Sequence, residues 1–367
     1  MVEGVAERAP ERTRRRTTII DCDVHNSVPS DAALRPYLPA RWRRYLDLVG
    51  HKGYHSLERG YAYPKISPGG GARVDAWPPS GGVPGSDLDF MREQLLDNYG
   101  IEIAVLNCLY RAGEQLNDEY ADALATAIND WQVEEWTGRD SRLRASMVVP
   151  YEAGDLAAKE IERLAGTPGF VQVLVLPRTR EPLGRRRYWP LYEAAEHYGI
   201  PVGIHFAGLT GNPITSSGWP SYYLEDHTVM AQAFQSQVIS LIFEGVFERF
   251  PRLRVALVEG GFAWMVPLLW RLDDLYERLH EEVPHLRRRP SEYVREHMRM
   301  TTQPMEEPER PHHLLDLIEQ LGPEMLMFST DYPHWDFDDP NRAFQVRLPE
   351  EVKSKVFHEN ARGFYGF

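Results

Sequence analysis

Eight short, continuously apolar runs recur along the chain, and a helix-forming stretch separates each from the next. The runs are TTIIDCDV, IEIAVLNCLY, RASMVVP, FVQVLVLP, IPVGIHF, LRVALVEGG, REHMRMTTQ and MLMFSTD. Segments such as NDEYADALATAINDWQVEEW and GDLAAKEIERLAG carry the apolar spacing of amphipathic helices between them. Strands that are apolar throughout belong to a parallel sheet covered on both faces. Eight β/α units favour closure into a (β/α)8 TIM barrel over an open doubly wound sheet. The open sheet also lacks its phosphate signatures, since no G-x-G-x-x-G follows the first strand and no G-x-x-x-x-G-K-[ST] occurs.

The barrel is expected to run as one domain over residues 18–367, with a lid-like insertion at 26–87 and a closing helix in PEEVKSKVFHENARGFYGF. The insertion contains YAYPKISPGGGARVDAWPPSGGVPG, whose Gly and Pro content forbids regular structure there while its aromatics call for packing. Residues 1–17 hold five arginines without an apolar core and read as a flexible basic tail. A net charge of −13 disfavours nucleic acid as a partner. No uncharged apolar stretch approaches the roughly 18 residues of a membrane span. Two cysteines, Cys22 and Cys108, fit a reducing cytoplasm and read as small buried hydrophobes rather than nucleophiles.

Barrel enzymes gather their chemistry where the strands end, and three of these strands end in metal-ligating side chains. Asp23 and His25 close the first run, His205 the fifth and Asp331 the eighth. Side chains two apart on a strand share a face, so Asp23 and His25 can grip one ion. A D-x-H pair or a single histidine means little alone; the coincidence of all four at strand ends carries the expectation. Two imidazoles and two carboxylates suit one divalent cation, Zn2+ first and Mn2+ second. HEEVPH, from His280 to His285, resembles a zinc-protease motif, but Pro284 and the five-residue spacing keep its histidines off one helical face.

The stretches IIDCDVHNSVP, AAEHYGIPVGIHFAG, GVFERFPRLRVALVEGGFAWMVPLLWRLD, MLMFSTDYPH and ENARGFYG together resemble the amidohydrolase-2 family. This is the branch of the amidohydrolase superfamily that includes aminocarboxymuconate-semialdehyde decarboxylase. The resemblance implies that Asp23, His25, His205 and Asp331 are the metal ligands, and that the chain forms a homodimer. In one respect the chain departs from the family: decarboxylases of this branch carry a histidine at the end of the sixth strand, where this chain has Glu259 in VEGGFAW.

The primary expectation is therefore a metal-dependent hydrolase of a small organic substrate acting through a metal-activated water, with Glu259 and Asp331 handling protons. The alternative is a nonoxidative decarboxylase of an aromatic or enoic acid. Substrate contacts are expected from Asn107, Arg178, His227, His334 and Trp335, all near the same rim, with Arg178 able to clamp a carboxylate. The aromatic-rich loop LTGNPITSSGWPSYY suggests a flat or aromatic ligand.

Overall fold

The computed structural model describes residues 18–49, 71–110, 112–207 and 213–367. The basic tail, residues 50–70 of the insertion and residues 208–212 of the loop after the fifth strand lie outside the described residues. Eight parallel strands follow one another in order: β1 Ile19–Val24, β2 Ile101–Leu106, β3 Leu143–Val148, β4 Phe170–Val175, β5 Val202–His205, β6 Val255–Val258, β7 Met298–Thr301 and β8 Leu326–Met327. This is the expected (β/α)8 barrel. Among the described residues no helix is long and apolar enough to cross a membrane.

Local signals explain the helices. In Asp118–Gln132, the Asn117 side chain accepts from the Tyr120 amide at 3.0 Å and Asp118 and Glu119 occupy the first turn, a favourable helix start. Ala121, Leu124, Ala125 and Ile128 then form its buried stripe. Trp189–Tyr198 ends where Gly199 takes a left-handed φ of 67°. The main core lies between strands and helices. A smaller cluster of Ile20, Cys22, Ile103, Val105, Ala256, Val258 and Met327 fills the barrel, with Phe364 and Tyr365 from the C-terminal helix packed against it. Cys22 and Cys108 are both buried thiols.

Three segments differ from the sequence expectation. The region after β1, read as irregular, forms a helix over Ala40–Val49. The stretch REH, read as the start of the seventh strand, ends a helix over Pro290–His297 whose Pro290 stands in its first turn, so β7 begins only at Met298. And β8 is two residues long, because its partner across the closing seam bonds with residues beyond it.

That seam is built from single backbone hydrogen bonds. Cys22 N donates to Phe328 O at 2.9 Å, Asp331 N to Asp23 O at 3.0 Å and His25 N to Tyr332 O at 2.7 Å. The buried Asp21 carboxylate reinforces it, accepting from Thr330 N at 3.0 Å and Thr330 Oγ1 at 2.6 Å. Burial pushes the Asp21 carboxyl up to about 7 in spite of these donors. The end of the insertion returns over the same place: Trp335 N donates to Gly71 O, Arg73 N to Pro333 O and Ser27 N to Gly85 O. Gly85 has φ 77°, and a Cβ there would stand 2.5 Å from the His25 carbonyl oxygen, so only glycine fits.

Thr330→Val keeps the shape of the side chain but strips the Asp21 carboxylate of its hydroxyl donor. The expected loss is about 1–3 kcal/mol in urea denaturation with an unchanged far-ultraviolet spectrum. A variant as stable as the wild type would show that the seam does not depend on this pair.

Candidate metal centre

The strand ends bring Asp23, His25 and His205 together in a buried cluster, which Asp331 joins through His25. His25 Nε2 lies 3.3 Å from Asp23 Oδ1 and 2.8 Å from Asp331 Oδ1, while His205 Nε2 lies 3.1 Å and 3.2 Å from the two Asp23 oxygens. Each of the four is at least nine-tenths buried. The two imidazoles meet edge to face, with centroids 4.9 Å apart.

The outer nitrogens of both rings are fixed by backbone. His25 Nδ1 donates to Asn107 O at 2.7 Å and His205 Nδ1 to Phe206 O at 2.6 Å. In each case Nε2 faces the carboxylates, the arrangement in which an imidazole can present its lone pair to a cation. The donor types suit a divalent metal, with ligand atoms of Asp23, His25, His205 and Glu259 gathered within 4.8 Å and those of His25, Asp331 and His334 in an adjoining group that shares His25.

Beneath the centre runs a hydrogen-bonded floor that the sequence reading did not identify. Asn107 Nδ2 donates to Asp23 Oδ1 at 2.8 Å, and Asn107 Oδ1 accepts from Ser146 Oγ at 2.7 Å and Gln172 Nε2 at 3.2 Å. Tyr365 of the C-terminal helix donates to Gln172 Oε1 at 2.9 Å. A Cβ at Gly203 would stand 2.3 Å from the Gln172 amide, so the glycine of β5 leaves room for this network. Its signal in the sequence was a single polar residue inside each of two apolar runs, Ser146 and Gln172.

The remaining candidates take varied positions. Asn107 is fully buried against Asp23. Arg178 donates to Asp226 Oδ1 at 2.6 Å and lies over the Phe206 ring, so its guanidinium is already engaged by a carboxylate of its own chain. His334 sits within the cluster, with Nδ1 2.6 Å from Asp331 Oδ1 and its ring 4.5 Å from that of His25. His227 contacts Asp336 Oδ2 at 3.0 Å. Trp335 is 54% exposed and donates to the Tyr223 hydroxyl. Glu259 places Oε2 3.5 Å from His205 Nδ1. Asp336 and Gln303 were not foreseen; Gln303 Nε2 donates to Asp331 Oδ2 at 3.2 Å and to Asp336 Oδ2 at 3.0 Å. HEEVPH is a short 3-10 turn followed by exposed loop.

Glu259 and Asp331 also share a backbone feature. Among the described residues they are the non-glycine residues with positive φ, at 59° and 60°, Glu259 directly after β6 and Asp331 in the segment beyond β8. Such conformations are costly and concentrate at functional sites.

The electrostatics divide the two carboxylates. Burial raises Glu259 well above the ordinary carboxylate range, and the Asp331, Asp23 and Asp336 charges add to this. Burial acts on Asp331 in the same sense, but the His334 charge and the hydrogen bonds with His25 and His334 outweigh it and hold the carboxyl well below its usual value. For His25, burial opposes the charged form. The Asp23 charge and the contacts with Asp331 prevail and push it up to about 9.

Comparison with known proteins was made against this geometry. The family model described as amidohydrolase matches residues 20–367. The γ-resorcylate decarboxylase of Polaromonas sp. strain JS666 is 26% identical over 295 residues, covering 76% of this chain and 87% of that protein. The γ-resorcylate decarboxylase of Rhodococcus jostii strain RHA1 is 29% identical over 299 residues, covering 75% and 86%. Among solved structures, 2,6-dihydroxybenzoate decarboxylase bound to 2,6-dihydroxybenzoate matches with a TM-score of 0.68 at 22% identity over 96% of this chain and all of that one. The 5-carboxyvanillate decarboxylase of Novosphingobium aromaticivorans, complexed with manganese and 4-hydroxy-3-methoxy-5-nitrobenzoic acid, matches with a TM-score of 0.71 at 20% identity over 96% and 97%. At these identities the structural matches speak for the barrel fold.

In the metal-free protein His25 is protonated below about 9, and a cation needs its Nε2 lone pair. Uptake of one ion at pH 7 should therefore release about one proton, and binding should tighten as pH rises towards that value. Calorimetric titration in buffers of different ionisation enthalpy reads this directly. A binding heat independent of the buffer would contradict it.

Proposed function

Because the chain belongs to the amidohydrolase family and is an enzyme of that superfamily, we propose that it is a nonoxidative, metal-dependent decarboxylase of an aromatic carboxylic acid. The observation that carries this reading is the combination of the donors gathered around His25, Asp23, His205 and Glu259 on one side and Asp331 and His334 on the other, with relatives named γ-resorcylate decarboxylase over three quarters of the chain. These relatives favour the decarboxylase over the hydrolase expected first from the sequence.

Asp23, His25, His205 and Asp331 would hold the ion. When bound, a divalent cation supplies a Lewis acid that draws in the substrate carboxylate and an adjacent oxygen. Mn2+ and Zn2+ both suit the donor set, and the manganese in the Novosphingobium structure favours Mn2+ as the first to try. The chain's own groups do the rest. Asn107 and the Phe206 carbonyl keep the ligands oriented, and the rings of Phe206, Tyr223 and Trp335 gather around His227 as an aromatic wall at the mouth. Loss of carbon dioxide breaks the bond between ring carbon and carboxylate, and the carbon must then gain a proton. Glu259, raised by burial, carries that proton, while Asp331 stays ionised. Two neighbouring carboxyls with opposed protonation divide acid from anion.

The hydrolase reading retains one observation in its favour, the glutamate at the end of β6 where decarboxylases of this branch carry histidine. The two differ in product. Protein loaded with Mn2+ and given 2,6-dihydroxybenzoate or 5-carboxyvanillate should release carbon dioxide without incorporating solvent oxygen, and Glu259→Gln should lower kcat by about 100-fold or more. Solvent 18O in the product would establish hydrolysis instead. An undiminished rate in the glutamine variant would remove Glu259 from proton delivery.

A further inference from the structure

The mouth of the barrel holds more carboxyl groups than one ion takes up. A divalent cation among two neutral imidazoles offsets two carboxylates, Asp23 and Asp331. Glu259 and Asp336 remain, and among the described residues neither pairs with a lysine or arginine.

Glu259 is the sharper case. It is 6% exposed, and among the described residues its carboxylate accepts no hydrogen bond. Its nearest basic neighbour is His205 Nδ1 at 3.5 Å, a nitrogen that already faces the Phe206 carbonyl oxygen at 2.6 Å. Buried carboxylates are normally hydrogen-bonded, paired with a cation or bound to a metal. The position of Glu259 shows which is available. It belongs to two groups of potential ligands, each gathered within 4.8 Å: one with Asp23, His25 and His205, the other with His227 and Asp336. In the second group His227 Nε2 lies 3.0 Å from Asp336 Oδ2. Gln303 leans on the same carboxylate through its Nε2, and its own Oε1, in a fully buried side chain, has no hydrogen-bond partner.

We propose that Glu259, His227 and Asp336 form a second divalent-cation site, in which the ion takes the place of the Glu259 proton and Glu259 bridges it to the first. The mixture of one imidazole and two carboxylates fits Mn2+ or Zn2+. The site goes beyond the single-ion centre of the proposed decarboxylase, and the Gln303 carboxamide is the neutral donor placed beside it.

Protein freed of metal by chelation, titrated with Mn2+ and passed through a desalting column, should retain two ions per chain. Its electron paramagnetic resonance spectrum should change from isolated six-line Mn2+ at the first equivalent to an exchange-coupled pair at the second. His227→Gln and Asp336→Asn should each hold one ion with an isolated spectrum, and either variant suffices should the other misfold. A wild type that saturates at one isolated Mn2+ would overturn the second site and leave the first intact. Retention of a coupled pair in both variants would also overturn it, and no Mn2+ at all would sink both sites together.

Discussion

The site depends on how the last strand meets the first. β8 is too short to form a full ladder with β1, and the barrel is closed instead by hydrogen bonds that pass through Asp23, His25, Asp331 and Tyr332. The backbone groups that complete the fold thus belong to the side chains that make the centre. Asp331 N donates to Asp23 O, so the two carboxylates are brought together by main-chain geometry. Their mutual repulsion is offset by His25, whose Nε2 lies between them. Closure and charge compensation are one event, and the Asp21–Thr330 contact fastens the same seam on its other side.

From that seam outward the environment grows less compensated. Asp331 has two imidazoles and an amide about it. Glu259, across the rim at the end of β6, has one imidazole at 3.5 Å. Burial acts on both, but only Asp331 has partners enough to stay ionised, which separates their protonation without any difference in residue chemistry. The positive φ of both residues turns the chain sharply where each strand ends. This strain is stored where a side chain must face the centre rather than follow its strand.

Much of this was legible in the sequence because a parallel barrel advertises its rim. An apolar run that stops at Asp or His marks a strand and its rim, so the barrel could be named from the sequence and Asp23, His25, His205 and Asp331 placed at one end of it. What stayed hidden depends on the barrel as a closed object. Ser146 and Gln172 look like isolated polar residues in apolar strands until the stagger of the strands stacks them under Asp23. Gln303 precedes the cis Pro304 and Asp336 lies beyond the cis Pro333, each in a loop, and only the meeting of those loops makes them partners. Arg178 was rightly placed on the rim, but the carboxylate it meets, Asp226, sits 48 residues further on and no local pattern links the two. The helix Ala40–Val49 was obscured by the Gly- and Pro-rich stretch that follows it.

The central claim is that the ends of β1, β5 and β8 hold one divalent ion between Asp23, His25, His205 and Asp331. Crystals of the protein grown with one equivalent of Mn2+, measured at the manganese absorption edge, test it most directly. The account predicts a single strong anomalous peak within ~2.0–2.3 Å of His25 Nε2, His205 Nε2 and one oxygen each of Asp23 and Asp331. A map with no peak there, or with manganese only at an exposed group such as His312, His313 and Asp316, would contradict it.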